Sequence, residues 1–308
     1  MVEQPIPITV VMRSYNDASL LPQTLGALAA QQGVNVQLVV FESASTDGSV
    51  AIFERHVYQR MVRLSPGSYH SALVLNEGVR GASTELVAFV NSDAIMMDRM
   101  VLLRLAKALL GQPSLAGVFA RQIPRPEASV MTILDYSIAF EHRQELGRFA
   151  DSLSLVCSMI KKSAWSEVPF DERLTYAEDV VWSQQVRERG WTTRYIPEAV
   201  VEHSHEYSPQ AMYSRQFGDF AALEILANSP PPRDLWNGVL WPLFRRCVRD
   251  IYRLVRLGEF RALWRLPFYR YPMMAGQWRG RLAGRRFLDE RPGGRQPKLS
   301  LSEAKRLI

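Results

Sequence analysis

The feature that most constrains this chain is an alternation of short apolar segments with amphipathic helical segments. The apolar segments predict buried strands at 8–12, 36–41 and 86–90. The helical patterns lie between and after them, at 17–30, 49–60, 70–80 and 100–110. Strands that alternate with helices predict an α/β fold, with a mostly parallel sheet and helices on both faces.

Polar side chains follow three of the predicted strands, at the point where each strand ends. These clusters are Arg13 to Asn16, Glu42 to Asp47, and Asn91 to Asp93. In open α/β sheets, ligands bind beyond the carboxyl ends of the strands. The sequence therefore predicts an acidic ligand site at this edge of the sheet.

Asp93 and the turn before Ser49 each allow two interpretations. A carboxylate at position 93 can hold a divalent cation against a diphosphate, or it can cap the next helix. The turn from Ser43 to Ser49 can bond a ribose or base edge, or it can provide an N-cap through Ser45 or Asp47.

Two further groups lie in the second half of the chain. Glu178 and Asp179 stand at a predicted helix start, where acidic residues are common without function but can also supply a general base. His203 and His205 alternate with acidic residues in EHSHE. Two histidines among acids suit a metal or phosphate site, although only one of them need be a ligand.

The positive charge of the chain is concentrated near its end. Residues 233–308 contain 18 Lys and Arg against 6 Asp and Glu, a net charge of +12, so residues 1–232 carry −6. We predict a catalytic domain over 1–232 and a basic helical region over 233–308. Trp236 to Leu257 predicts a basic amphipathic helix, which could contact an anionic membrane or pack on the chain itself or another subunit.

The two cysteines and the lengths of the apolar runs indicate where in the cell the protein is located. Cys157 and Cys247 are far apart and lack metal-ligand spacing, which is typical of a reduced cytosolic protein. No signal-peptide pattern and no apolar run of membrane-spanning length is found. We expect a cytoplasmic protein, peripheral at the inner face of the cell membrane.

Five segments in order resemble the family 2 glycosyltransferases, which have the GT-A fold. They are VVMRSYND, VVFESASTDGS, LNEGVRGASTELVAFVNSDA, FDERLTYAEDVVWSQQVRERGW and YIPEAVVEHSHEYS. RSYND, RQIPRP and HSHEYS are further similar to the rhamnosyltransferase-like branch. The likeness covers roughly residues 8–220.

The resemblance implies a role for each matching position. It makes Asp179 the catalytic base, Asp93 the metal-binding aspartate of the DxD motif, and His203 a metal ligand, with His205 as the alternate. It assigns nucleotide-sugar binding to Ser14, Tyr15, Asn16, Glu42, Ser45, Asp47, Asn76, Asn91 and Ser92. The motif is NxD here, Glu42 replaces the usual aspartate, and Leu75-Asn76 stands where many members have an arginine.

The implied activity is an inverting transfer of a sugar from a nucleotide-diphosphate donor, assisted by Mg²⁺ or Mn²⁺. The branch suggests dTDP-rhamnose as the donor, with UDP-hexoses as the runner-up. The acceptor is expected to be a saccharide or lipid-linked saccharide in cell-surface polysaccharide synthesis. The alternatives are a catalytically weak or dead scaffold, suggested by NxD, and a nucleic-acid-binding protein acting through the basic tail, which the acidic body disfavours. The sequence leaves the oligomeric state open.

Overall fold

The computed structural model describes residues 4–56, 58–227 and 229–289. These residues divide into two compact units that are interleaved along the chain. The first contains the described residues up to Arg125, His142–Asp171 and Trp182–Ser204, and the second contains Pro126–Glu141, Glu172–Val181 and the described residues from His205 onward. The predicted domains divide the chain at a single point, between residues 232 and 233, and this division stays a prediction.

The first unit is built on an eight-stranded sheet. Its strands are β1 Ile6–Ser14, β2 Val34–Glu42, β3 Arg60–Arg63, β4 Leu86–Asn91, β5 Ile95–Met96, β6 Leu115–Ile123, β7 Cys157–Lys161 and β8 Thr192–Glu202. Their spatial order is β3-β2-β1-β4-β7-β6-β8-β5. Strands β1 to β4 pair in parallel, as β6 does with β8, while β7 and β5 are antiparallel to their neighbours. The predicted α/β fold is confirmed, with a sheet of mixed direction.

Both faces of the sheet are buried, because successive side chains of a strand point to opposite sides. On β1, Val10 and Met12 belong to one apolar core, whereas Val11 belongs to the other with Phe41 and Phe89. These strands therefore carry continuous apolar runs rather than alternating ones.

The described residues also form ten α-helices. They are α1 Leu21–Ala29, α2 Ser49–Phe53, α3 Ser71–Arg80, α4 Val101–Leu110, α5 Val130–Tyr136, α6 Lys162–Glu167, α7 Glu178–Glu188, α8 Pro209–Leu223, α9 Trp241–Leu257 and α10 Leu266–Asp289. Short π or 3₁₀ segments cover Ser137–Glu141, Arg143–Phe149, Glu224–Leu226, Trp236–Leu240 and Phe260–Arg265. No described helix has the length and apolarity needed to cross a bilayer.

One predicted helix is shorter than its sequence pattern indicates. The pattern over 49–60 predicts one helix, but α2 ends at Phe53 and Arg60 begins strand β3. The backbone N–H of Gln59 already donates to the carbonyl oxygen of Leu38 on β2, at 2.8 Å. Pairing with the sheet therefore overrides the local helical pattern.

In the second unit, α8 and α10 pack closely along a stripe of glycines. A Cβ atom added to Gly276, Gly280 or Gly284 would lie 2.3–2.5 Å from a backbone oxygen of α8. Real side chains do not approach backbone this closely, so the packing of these helices requires glycine at all three positions. Small residues spaced four apart are the usual means of bringing two helix backbones together.

We predict that Gly280→Ala destabilises the protein by at least about 1–3 kcal/mol, the usual effect of overpacking. The added Cβ would lie 2.3 Å from the carbonyl oxygen of Phe217, which belongs to a helix and cannot yield as a flexible side chain would. Gly26→Ala in α1 is the matched control, because no atom lies within 4 Å of its added Cβ. It should be neutral or stabilising. Urea unfolding of both variants measures the difference, and equal stability would show that the glycine stripe is not required.

Candidate active site

The three polar clusters predicted at strand ends lie at one edge of the sheet. Strand β1 ends at Ser14, β2 at Glu42 and β4 at Asn91. In the parallel register, Ser14 is paired with Glu42, and Arg13 with Asn91. The expectation that these clusters come together is confirmed for the described strands.

The loops after β1 and β2 are bonded to each other through Asn16. Its backbone N–H donates to Oγ of Ser45 at 2.9 Å, and its Oδ1 accepts from the N–H of Thr46 at 2.8 Å. Asn16 and Ala44 both have positive φ, at 55° and 60°. Non-glycine residues adopt this conformation at a cost and often at functional sites. The two loops thus form one preorganised rim.

The acidic groups of this rim are held by backbone donors. Glu42 is 2% exposed, and its carboxylate accepts from the N–H groups of Ala44 at 3.2 Å and Ser45 at 2.7 Å. Asp47 accepts from Ala18 and from both donors of Ser49. Desolvation opposes the charge of Asp47, but these hydrogen bonds outweigh it and lower the pKa of the carboxyl. The rim therefore presents fixed carboxylates.

The remaining residues of the rim are bonded across the strand ends. Oδ1 of Asn91 accepts from Nη2 of Arg13 at 2.8 Å, and Oγ of Ser92 bonds Oδ2 of Asp17. Ser92 is buried, whereas the Tyr15 ring is 61% exposed at the surface of the rim. An exposed aromatic ring beside fixed carboxylates and hydroxyls is suited to contact a nucleoside.

The centre of the edge is a contact between Asp93 and His203. Oδ2 of Asp93 lies 3.5 Å from Nε2 of His203, and both residues are buried. Asp93 follows β4, and His203 directly follows β8, so two strand ends supply one carboxylate and one imidazole.

Gln122 defines which nitrogen of His203 carries the proton. Nδ1 of His203 lies 3.1 Å from Oε1 of Gln122, whose Nε2 donates to Oγ of Ser154 at 2.8 Å. Because Oε1 only accepts, this arrangement assigns the proton to Nδ1 and the lone pair of the neutral ring to Nε2. A metal-binding histidine typically has its other nitrogen held in this way. Oriented like this, His203 is prepared to bind a cation beside Asp93.

His205 provides a third potential ligand. His205 opens the last segment of the second unit, whereas Asp93 and His203 belong to the first, so its part in the metal site stays a prediction. His205 is exposed, unlike the other two. A carboxylate and an imidazole, here Asp93 and His203, can bind a divalent cation.

Arg125 is a residue of this site that the sequence analysis did not single out. Its Nη2 donates to the carbonyl oxygen of Asp93 at 2.7 Å and lies 3.2 Å from Oδ2 of the same residue. Its backbone N–H donates to Oγ of Ser204 at 3.0 Å. Arg125 belongs to the RQIPRP segment, which begins within β6 and continues beyond its end at Ile123. That position beyond a strand end was the signal that could have identified it.

Asn76 has an environment unlike that of the other predicted donor-binding residues. It is 1% exposed, and its Oδ1 accepts from Nε1 of Trp165 at 2.8 Å and from the N–H of Phe170 at 3.0 Å. Its Nδ2 donates to the carbonyl of Phe170 at 2.9 Å. The side chain thus ties α3 to the segment after α6, and its contact with a donor stays a prediction.

In the second unit, the acidic pair at the start of α7 differs in exposure. Glu178 is 8% exposed, and Asp179 is half-buried. Ala177, just before them, has a positive φ of 53°. A strained residue directly before a helix start fixes the direction in which the next side chains project. Of the two carboxylates, Asp179 is the more accessible to a reactant.

Arg215 and Asp219 on α8 provide the electrostatic surroundings of this pair. Desolvation raises the pKa of Asp219 to about 6, against the opposing effect of Arg215 and with a further contribution from Glu178. Desolvation would lower the pKa of Arg215, but interactions with neighbours that include Asp219 and Asp179 raise it. Arg215, Asp219 and the acidic pair therefore form one group of interacting charges in the second unit.

Comparison with known proteins identifies the architecture and then the family. The fold is similar to that of a mannosyltransferase from Pyrobaculum calidifontis, solved in complex with GDP-Man and Mn²⁺. That likeness has a TM-score of 0.60 at 18% identity and covers 92% of this chain and 87% of the other. The predicted GT-A fold is confirmed by it.

The family model for glycosyl transferase family 2 matches residues 9–167, about half of the chain. The chain therefore belongs to glycosyltransferase family 2. It is 24% identical over 221 residues to the O-antigen chain rhamnosyltransferase RfbN of Salmonella typhimurium, covering 68% of this chain and 70% of that protein. It is also 24% identical over 223 residues to WbaN of Salmonella anatum, with the same coverage and the same description. The resemblance to rhamnosyltransferases is confirmed.

Proposed function

We propose that the protein is an inverting glycosyltransferase that moves rhamnose from dTDP-rhamnose to a saccharide or lipid-linked acceptor in cell-surface polysaccharide synthesis. Family membership supports the transfer of a sugar, and the two rhamnosyltransferase relatives support this choice of donor and process. The observation that carries the proposal is the Asp93–His203 contact at the carboxyl edge of the sheet.

Asp93 and His203 fit a divalent cation, and the tautomer of His203 supports this assignment, with His205 as the alternate ligand. Mn²⁺ accepts an imidazole ligand more readily than Mg²⁺, which prefers an all-oxygen environment. We therefore favour Mn²⁺ over Mg²⁺. When bound, the cation supplies Lewis-acid stabilisation of the negative charge on the leaving diphosphate.

The chain's own residues provide the binding and the proton transfer. The rim formed by Ser14, Tyr15, Asn16, Glu42, Ser45 and Asp47 holds the nucleoside, and Asn91 and Ser92 continue it towards Asp93. Asp179 accepts the proton of the acceptor hydroxyl as its oxygen forms a bond to the anomeric carbon. The bond from that carbon to the diphosphate oxygen breaks in the same step. A single displacement inverts the configuration, and no enzyme nucleophile is required.

The donor is tested by thermal stabilisation. A ligand that binds only the folded protein stabilises it by about 2.7 kcal/mol at a concentration 100 times its Kd. With Mn²⁺ present, dTDP-rhamnose should raise the unfolding temperature more than a UDP-hexose, and GDP-mannose at the same concentration should have the smallest effect. A larger shift with GDP-mannose would refute the proposed donor, and a larger shift with the UDP-hexose would favour the runner-up.

A further inference from the structure

Helix α9 buries an acidic residue and exposes most of its large apolar ones. Its most buried positions are Asp250 and Leu254, both at 0% exposure. Oδ2 of Asp250 accepts from Nε of Arg270 at 2.7 Å, and Arg270 is itself fully buried. Arg246 of α9 pairs with Asp135 at 2.9 Å. The inward face of α9 is therefore held by ion pairs to α5 and α10 and by the apolar packing of Leu254.

The outward face of α9 is an apolar stripe. Its members are 42–58% exposed, and they are Trp241, Phe244, Val248, Ile251, Tyr252 and Val255. At about 100° per residue, these six positions fall within an arc of about 100°. An amphipathic helix of a globular protein normally turns such a stripe towards the core. A contiguous exposed apolar face of this kind marks an interaction surface.

Arginines border one side of this stripe. Arg245, Arg249 and Arg256 are exposed and lie about 20–60° beyond Tyr252 on the helical projection. The guanidinium of Arg256 lies 4.4 Å from the centre of the Tyr252 ring. The only acidic residue of α9 is Asp250, which is buried in the ion pair with Arg270. The exposed surface of the helix is therefore apolar and cationic.

Exposed aromatic residues continue beyond the two ends of α9. Trp236 precedes the helix at 59% exposure, and Phe260, Trp264 and Phe268 follow at 62–71%. Arg265 lies over the ring of Trp264, 5.0 Å from its centre. Tryptophan and arginine together are enriched where proteins meet the headgroup region of a bilayer.

We propose that α9 is a membrane-docking helix that lies in the headgroup region of a bilayer rich in anionic lipid, with its apolar stripe inserted. The lipid headgroups neutralise Arg245 and Arg256, and the acyl chains cover Phe244 and Val248. Helix α9 has no exposed acidic residue, so the same helix of a second copy could not pair with these arginines. The 17 residues of α9 suit a helix that lies along the surface.

Co-sedimentation of the full chain with lipid vesicles tests this proposal without any donor or acceptor. The protein should pellet with vesicles of phosphatidylglycerol and phosphatidylcholine, and far less with phosphatidylcholine alone. Phe244→Glu should weaken binding at least about ten-fold, because inserting a phenylalanine contributes about 1.5–3 kcal/mol. Raising the salt should also weaken it, since charges at a surface are screened.

Leu110→Glu in α4 is the matched control, because Leu110 is 52% exposed against 58% for Phe244 and lies outside the stripe. It should bind vesicles as the unmodified protein does, and circular dichroism should show both variants folded. Equal binding by Phe244→Glu, or binding that ignores anionic lipid, would overturn the proposal. A second result would also overturn it: the unmodified protein fails to bind vesicles and forms a dimer, seen by light scattering, that Phe244→Glu dissociates. In that case α9 would be a subunit interface.

Discussion

Replacing Asp179 by asparagine is expected to lower turnover by roughly two to four orders of magnitude, the range for losing a general base. The acceptor hydroxyl is a weak nucleophile at neutral pH, and asparagine keeps the shape of the side chain without its basicity. Donor binding should change little, because the predicted donor residues other than Asn76 lie on the strand-end rim. Steady-state kinetics measures the loss, and calorimetric titration of the donor measures the binding.

Glu178→Gln is the matched control for this prediction. Glu178 is the more buried of the two acids and interacts with Asp219, so its role is expected to be structural. Successive helical residues also point about 100° apart, so both cannot address one proton. If Glu178→Gln abolished transfer while Asp179→Asn did not, the role of base would belong to Glu178. If neither substitution lowered turnover, the two acids would only mark the start of α7, and the general base would lie elsewhere.

Replacing Asp93 by alanine is expected to abolish most Mn²⁺ binding. Losing a residue that merely supports a metal ligand costs about 10–100-fold in affinity, so losing the carboxylate itself should cost at least that much. The electron paramagnetic resonance signal of free Mn²⁺ measures this directly, without any reaction. Turnover should fall with the loss of the cation.

Asp98→Asn is the control for the Asp93 substitution. Asp98 is a nearby acid in the sequence, but its carboxylate is exposed and paired with Arg104, and it is not one of the predicted ligands. Its replacement should leave Mn²⁺ binding unchanged. Equal binding by Asp93→Ala and the unmodified protein would show that the cation is not held by Asp93.

The sheet edge could be predicted because its signals are local. Each strand is a short apolar run, and each polar cluster follows the run directly, so parallel pairing alone brings Ser14, Glu42 and Asn91 together. The antiparallel strand β7 between β4 and β6 was not predictable, because its pairing joins residues distant in sequence. Arg125 and Gln122 were missed for the same reason, since their partners Asp93 and His203 lie 32 and 81 residues away.

Which face of α9 is buried could not be predicted from the sequence, for a different reason. Periodicity identifies α9 as amphipathic, but it does not say which face the protein covers. The covered face is decided by Asp250 and Arg246, whose partners Arg270 and Asp135 lie on other helices. Only the three-dimensional structure distinguishes an apolar stripe packed in the core from one that faces outward.

We propose that this chain transfers a sugar from a nucleotide donor with the help of a cation held by Asp93. The most direct measurement is the release of nucleoside diphosphate from a panel of nucleotide sugars, with Mn²⁺ and with chelator. We expect release from dTDP-rhamnose that requires Mn²⁺ and is lost in Asp93→Ala. Release undiminished by chelator and by Asp93→Ala would contradict the metal site, and binding of a donor without any release or transfer would make the protein a scaffold.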